Sequence, residues 1–344
     1  MEKKKLNPHN STKEIQERIS KEIEERHKKE RRMIEKNNAQ FYSFLSSIGF
    51  LTPEKIEKHN QIVSDFYDRH LSLRKESSKG KSFLELPFEK ILKKRYKNDV
   101  ENQARLMNFM ARVRNDAGVL MVEDEKFASL FIEKNKFDAT ILSVDIRRST
   151  ELMLKCQSPE IYSEFITHLL EGLSSSVKDY YGIYDKFTGD GFLAFFPDFF
   201  SGREGLLNAI LCSIDCQRIF EEVFGEYKKY FDLSNVKTGL GSGIDFGSVY
   251  KAASQMEYSV IGKAVVYACR FSSCPAGRIY LTENAFNKFS LLERNEFEIN
   301  KSQIDIKHEE PQTAYDIFLK EGEIFENVKA CLPDWKLALE KNKS

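Results

Sequence analysis

From residue 137 onward, apolar side chains recur at strand and helix periods in turn. Ala139-Thr-Ile-Leu-Ser-Val144 is a short, nearly continuous apolar run, the pattern of a buried strand. Ser158-Pro159 predicts a helix start, with Ile161, Phe165, Leu169, Leu173 and Val177 at four-residue spacing until Gly182 ends it. Ile183 to Phe196 reads as two strands turning at Gly189-Asp190-Gly191, followed by a second long helix marked by Leu207, Ile210, Leu211, Ile214 and Phe220. Val236 to Val249 reads as a strand whose Gly239, Gly241, Gly243 and Gly247 suggest bulges or close backbone approach. A strand near Met256 to Val260, a helix over Lys263 to Ser273, a strand at Ile279 to Leu281 and a hairpin through Ile304-Asp-Ile306 and Ala314 to Leu319 complete the pattern.

Upstream the pattern is mostly helical. Residues 1–36 are rich in Lys, Arg and Glu; Ser11-Thr-Lys-Glu14 has the form of a capping box, with Ile15, Ile19 and Ile23 behind it. That stripe suits either a solvated amphipathic helix or a partner contact. Residues 37–130 read as a helical accessory region, with a polar linker at Glu76 to Lys81 and a last long helix from about Leu92 to Met121. The order of elements implies an α+β fold: a ferredoxin-like sandwich over residues 131–320, with a tail over 321–344.

Composition narrows the function classes. The 344 residues carry 53 basic and 53 acidic side chains, a balance that gives no support for nucleic-acid binding. No apolar run reaches the ~18–20 residues of a membrane-spanning helix, and the first residues lack a secretory apolar region, so a cytoplasmic protein is expected. The six cysteines are scattered and read as buried free thiols rather than a zinc site. No Ser/His/Asp constellation is discernible.

Two short stretches bear chemistry: Asp145-Ile-Arg-Arg-Ser-Thr150 and Asp185-Lys-Phe-Thr-Gly-Asp190-Gly. Each delivers an aspartate at the edge of an apolar strand. Alone, Asp145 could cap the next segment or pair with Arg147 or Arg148, and Gly-Asp-Gly is good hairpin chemistry in itself. Together, on strands joined by one crossover helix, they point to a divalent-cation site, with Mg²⁺ the default and Mn²⁺ the common substitute.

With these motifs, the segment from about Phe137 to Lys320 resembles the catalytic domain of class III nucleotidyl cyclases. The matching pieces are Asp145-Ile146, Lys186-Phe-Thr-Gly-Asp190, the Gly239 to Gly247 strand, and Tyr258-Ser-Val-Ile-Gly262 leading to Ala268-Cys-Arg270. The resemblance implies two metal ions held by Asp145, Asp190 and the Ile146 carbonyl, one activating the ribose 3′-hydroxyl and one steadying the triphosphate. It further implies a phosphate cradle from Arg147 to Thr150, charge balance at the α-phosphate from Arg270, a triphosphate contact near Lys307, and a homodimer whose sites are shared between chains. One position departs: the asparagine that orients the ribose in the family is Val266, which cannot hydrogen-bond. With Val265-Val-Tyr-Ala-Cys-Arg270, the wording is most similar to the pyrimidine cyclases of bacterial Pycsar antiphage systems. That likeness implies a downstream effector with a cyclic-nucleotide-binding module.

For the base, the family resemblance points to Lys186 and Ser259. Uracil offers O4 and O2 acceptors around an N3–H donor, so a lysine beside a donating hydroxyl tilts the expectation towards UTP over CTP. Lys186 also keeps ATP in view, and a catalytically silent nucleotide sensor is the alternative outside enzymes.

Overall fold

The computed structural model describes residues 106, 109–232, 237–253, 258–306 and 309–341. The chain groups into two units, Met1–Lys81 and Ser82–Ser344, and every described residue belongs to the second. The charged helix expected over residues 1–36, most of the helical accessory region expected over 37–130, and Lys307 therefore lie outside the described residues.

Eight strands form one sheet in the order β2-β3-β1-β4-β6-β8-β7, with β5 paired to β4. The strands are β1 (Lys136–Arg147), β2 (Ile183–Phe187), β3 (Gly191–Pro197), β4 (Gly239–Ala253), β5 (Tyr258–Ile261), β6 (Arg278–Leu281), β7 (Phe297–Ile304) and β8 (Gln312–Leu319). All pairings are antiparallel except β4 with β6. The β4-β1-β3-β2 core, with one long helix between β1 and β2 and another between β3 and β4, is the expected ferredoxin-like α+β arrangement.

The helices are α1 (Asn115–Glu123), α2 (Glu125–Ile132), α3 (Ser149–Lys155), α4 (Pro159–Asp179), α5 (Asp198–Ser201), α6 (Gly205–Tyr227), α7 (Lys263–Phe271), α8 (Glu283–Ser290) and α9 (Asp334–Lys341). Alternation along β1 divides the core. Leu142, Val144 and Ile146 join Phe165, Leu169 and Leu173 of α4 and the apolar side of α6 in one cluster. Ala139 and Ile141 join α1, α2 and α7 in another. Each fully buried Phe or Leu contributes about 1.5–3 kcal/mol, so both crossover helices are held by their stripes rather than by propensity.

Local chemistry explains where the elements end. Ser158 accepts from the Ile161 N–H and Pro159 occupies the first turn of α4, as its sequence predicts. At the other end the expectation needs correction: Tyr181, not Gly182, takes the left-handed conformation, at φ 60°. Gly182 is required instead because a Cβ there would stand 2.7 Å from the Phe196 ring. The continuous helix expected to Met121 is interrupted. Arg114 is extended (ψ 153°) and α1 starts afresh, with the Asp116 carboxylate accepting from the Ala117 N–H. The short α8 was not foreseen, and the strand expected at Ile304-Asp-Ile306 lies instead at Phe297–Ile304, because each element is brief and carries few apolar positions.

The flanking segments pack on this core. Phe127 and Phe131 of α2 meet Phe200. From the C-terminal side Trp335 stacks on Phe200 at 5.5 Å and donates its indole N–H to the Phe200 carbonyl. The fully buried Asn208 side chain accepts from the Cys331 N–H and donates to the Cys331 carbonyl. All six cysteines are free thiols; Cys212, Cys216 and Cys274 are buried, while Cys269 is exposed.

Candidate functional site

β1 emerges from the core at Asp145, and the β1–β3 register sets Asp145 opposite Gly191. Gly191 is obligatory there, because a Cβ would stand 2.0 Å from the Val144 carbonyl oxygen. That close pairing, with the Ile146 N–H donating to the Asp190 carbonyl at 2.8 Å, brings the hairpin aspartate beside Asp145. Ser149, the first residue of α3, donates its hydroxyl to Asp190 Oδ2 at 2.6 Å. Arg147 Nη1 meets Asp145 Oδ2 at 2.6 Å. The simple ion-pair reading of Asp145 is therefore realised alongside its closeness to Asp190.

Two neighbouring carboxylates repel. Burial and, after it, the charge of Asp190 push the Asp145 carboxyl up to about 6 from its ordinary 3.8, against the pull of Arg147. This arrangement suits a divalent cation, since added positive charge relieves the repulsion that Arg147 only partly offsets. Among the described residues no three His, Cys, Asp or Glu side chains cluster as a ready donor set. The side-chain donors are thus two carboxylates, and main-chain oxygen, such as the adjoining Ile146 carbonyl, would supply more. An all-oxygen set of this kind fits Mg²⁺ or Mn²⁺.

The raised value has a measurable consequence in metal-free protein. Asp145 keeps its proton to about pH 6 when folded and only to about 3.8 when unfolded. The folded chain binds more protons in that window, so stability falls as pH rises through it. Asp145→Asn in EDTA is expected to flatten that slope, read as urea midpoints across the window. An unchanged slope contradicts the assignment.

Arg148 stands in the left-handed region at φ 63°, ion-paired to Glu151, and turns the chain from β1 into α3. The first-turn N–H groups of α3, Thr150 among them, have no intrahelical acceptor. Thr150 itself is exposed.

A second cluster lies on β2 and β5. Lys186 Nζ is 3.5 Å from Ser259 Oγ, and the Ser259 hydroxyl donates to Asp185 Oδ2 at 2.6 Å. The structure so joins the two residues expected at the base, and adds Asp185, whose side chain is 1% exposed and ion-paired with Arg112. Asp185 was legible only as part of its motif. Nothing in spacing shows that it reaches Ser259, 74 residues away. One expectation changes here: a carboxylate takes the Ser259 proton, so in this structure the hydroxyl presents lone pairs towards Lys186 instead of donating outwards.

Arg270 lies on α7, which packs on β1 and β4 because Gly243 leaves room for the Ala268 carbonyl. Its described contacts run to an ion pair with Glu309 and to the Tyr267 ring, and the Tyr267 hydroxyl donates to Glu309 Oε2 at 3.0 Å. Sequence reasoning missed Glu309, a polar residue in the turn before β8. Val266 stands exposed on α7. Apolar side chains are also exposed on α3 (Met153, Leu154) and β5 (Ile261), so the elements that carry the site also show bare apolar surface.

No protein-family model matches the sequence, and no protein of curated function does. Solved structures similar to part of the chain include the adenylyl cyclase CyaB from P. aeruginosa, at 21% identity and a TM-score of 0.48, covering 55% of this chain and 97% of that one. The guanylyl cyclase Cya2 has 21% identity and a TM-score of 0.47, covering 57% of this chain and 98% of that one. The guanylate cyclase domain of RhGC from Catenaria anguillulae, in complex with GTP, has 16% identity and a TM-score of 0.44, covering 55% and 100%.

Proposed function

We propose that this chain is a divalent-metal-dependent nucleotide cyclase converting UTP to 3′,5′-cyclic UMP and pyrophosphate. The observation that carries the reaction class is the adjacency of Asp145 and Asp190 at the mouth of a buried strand, where their mutual repulsion calls for a cation. A divalent metal held there would supply Lewis-acid activation of the ribose 3′-hydroxyl and charge neutralisation at the triphosphate.

The chain's own groups do the rest. The N–H groups from Arg147 to Thr150 receive phosphate oxygens. The ribose 3′-oxygen, its proton passing to solvent water, forms a bond to the α-phosphorus as the bond from that phosphorus to the bridging β-phosphate oxygen breaks and pyrophosphate leaves, with Arg270 balancing charge on the α-phosphate. Glu309 is ion-paired with Arg270, so the triphosphate competes with that carboxylate for the guanidinium. Lys307, two residues before Glu309, belongs to this reading as a triphosphate contact. Lys186 and Ser259 meet the base.

The exposed apolar surface on α3 and β5 supports a homodimer with sites shared between chains. No described helix is long and apolar enough to cross a membrane. The motif wording that resembles Pycsar cyclases supports a second-messenger role in antiphage defence, acting in the cytoplasm through a cyclic-nucleotide-binding effector.

Uracil fits the pocket with Lys186 donating to O4 and Ser259 accepting from N3–H. A second reading, ATP or CTP, is favoured by the same hydrogen bond from Ser259 to Asp185. A donor beside an acceptor also meets the ring nitrogen and exocyclic amine of an amino base. Purified protein with Mn²⁺ and each of the four labelled NTPs decides between them. Cyclic UMP is expected as the main product; conversion of ATP alone overturns the pyrimidine reading, and no cyclic product from any NTP overturns the cyclase reading.

A further inference from the structure

Asp185 and Lys186 are consecutive on β2, and in a regular strand they would point to opposite faces. The β2–β3 register jumps from Tyr184↔Ala194 to Lys186↔Leu193, which leaves Asp185 as the extra residue of a bulge. A bulge resets the alternation, and both side chains reach Ser259 of β5. The result is an ordered chain of groups: Arg112 Nη1 at 3.4 Å from Asp185 Oδ1, Asp185 Oδ2 at 2.6 Å from Ser259 Oγ, and Ser259 Oγ at 3.5 Å from Lys186 Nζ. Asp185 is buried, Ser259 half-buried and Lys186 exposed, so the chain runs from the interior to the surface where a base would lie.

The structure assigns Asp185 as the positioning residue for base selection: by taking the Ser259 proton it holds that hydroxyl as an acceptor beside the Lys186 donor. This inference rests on the nucleotide-site reading above. A hydroxyl free to rotate can serve as donor or acceptor and tolerates either partner. A hydroxyl that donates to a buried carboxylate gives up a charge-assisted hydrogen bond when it turns to donate elsewhere, which is costly in a buried setting. The pair therefore favours a base that sets an acceptor against Lys186 and an N–H against Ser259, as O4 and N3–H of uracil do, over one that sets two neighbouring acceptors there. Asp185 touches neither base nor phosphate in this scheme; it acts through Ser259.

The experiment is the preference among UTP, CTP, ATP and GTP, read both as relative kcat/KM and as relative affinity by equilibrium dialysis with Mn²⁺. Asp185→Asn can donate its amide to Ser259 and release the hydroxyl to point outwards. Its preference for the best over the next-best NTP is expected to fall about tenfold, the equivalent of one misdirected hydrogen bond at ~1.4 kcal/mol. Ser259→Ala is expected to lose a comparable factor, and Asp185→Asn in the Ser259→Ala background no more than that. A preference unchanged in Asp185→Asn, or a further loss in the double variant, overturns the assignment. Should Asp185→Asn not fold, as judged by thermal unfolding, an unchanged preference in Ser259→Ala overturns it equally. Binding without turnover in the parent sinks the cyclase reading while the affinity ratios still test Asp185; no NTP binding by the folded parent sinks both.

Discussion

Asp190→Ala is expected to lower NTP turnover by about a thousandfold or more while leaving the protein folded. The residue is half-buried in the β2–β3 turn and lies outside the apolar core, so its loss costs little packing beyond the Ser149 hydrogen bond. Its neighbour Asp145 is relieved of a repelling charge and retains Arg147. What disappears is half of the side-chain donor set for a cation. Metal-ion catalysis is worth several kcal/mol, and each 1.36 kcal/mol is a factor of ten in rate. The check is paired: product formation with Mn²⁺, and Mn²⁺ affinity by electron paramagnetic resonance, at equal thermal stability. Turnover within tenfold of the parent would remove Asp190 from the metal site and leave the Ser149 hydrogen bond as its role.

A large stability effect is expected at Gly243 of β4. A Cβ there would stand 2.1 Å from the Ala268 carbonyl oxygen and 2.4 Å from the Ser272 nitrogen, both backbone atoms of α7 and its C-terminal end. Backbone cannot swing aside as a side-chain tip can, so Gly243→Ala must lift α7 from the sheet. Overpacking of this kind costs typically 1–3 kcal/mol, occasionally more, and about 3 kcal/mol is expected from urea unfolding. Because α7 also carries Arg270, turnover should fall with it. Gly225 is the natural comparison: it lies within α6 with nothing within 4 Å of its would-be Cβ. Gly225→Ala should therefore raise stability by about 0.5–1 kcal/mol. Equal effects at the two glycines would mean that α7 is not held by close backbone approach.

These two predictions draw on different depths of the sequence. Asp145 and Asp190 were legible because each sits where an apolar run stops, and strand ends beside glycine are where buried backbone gives way to chemistry. Gly243 was legible as a glycine within a strand, but not which element it admits. The partner of a missing Cβ is decided by packing, and α7 follows Gly243 by 20 residues of sequence that carry no marker of the contact. The break before α1 escaped periodicity because buried apolar positions, Phe109 and Val113 before the kink and Ala117 and Met121 after it, keep four-residue spacing across it. The C-terminal anchoring of Trp335 on Phe200 escaped because a single indole has no period at all.

For the base pocket the contrast is sharper. The residue types at Lys186 and Ser259 suggested a donor beside a donating hydroxyl. A serine's character, however, depends on who takes its proton, and that partner, Asp185, arrives through a bulge in β2. Similarly, Arg270 is legible as a cation, whereas its pairing with Glu309 depends on how the turn before β8 closes over α7.

The sequence by itself determined the order and type of the main elements, the α+β class, and the pair of aspartates. Those properties are written in local periodicity and in residue chemistry at strand ends, which act within a few residues. Only the tertiary structure decided which groups face one another: Asp190 against Asp145, Asp185 against Ser259, Glu309 against Arg270. Register, bulges and close packing set those encounters across tens of residues. They fix where protons and charges reside, and so what the aspartates and the serine can do.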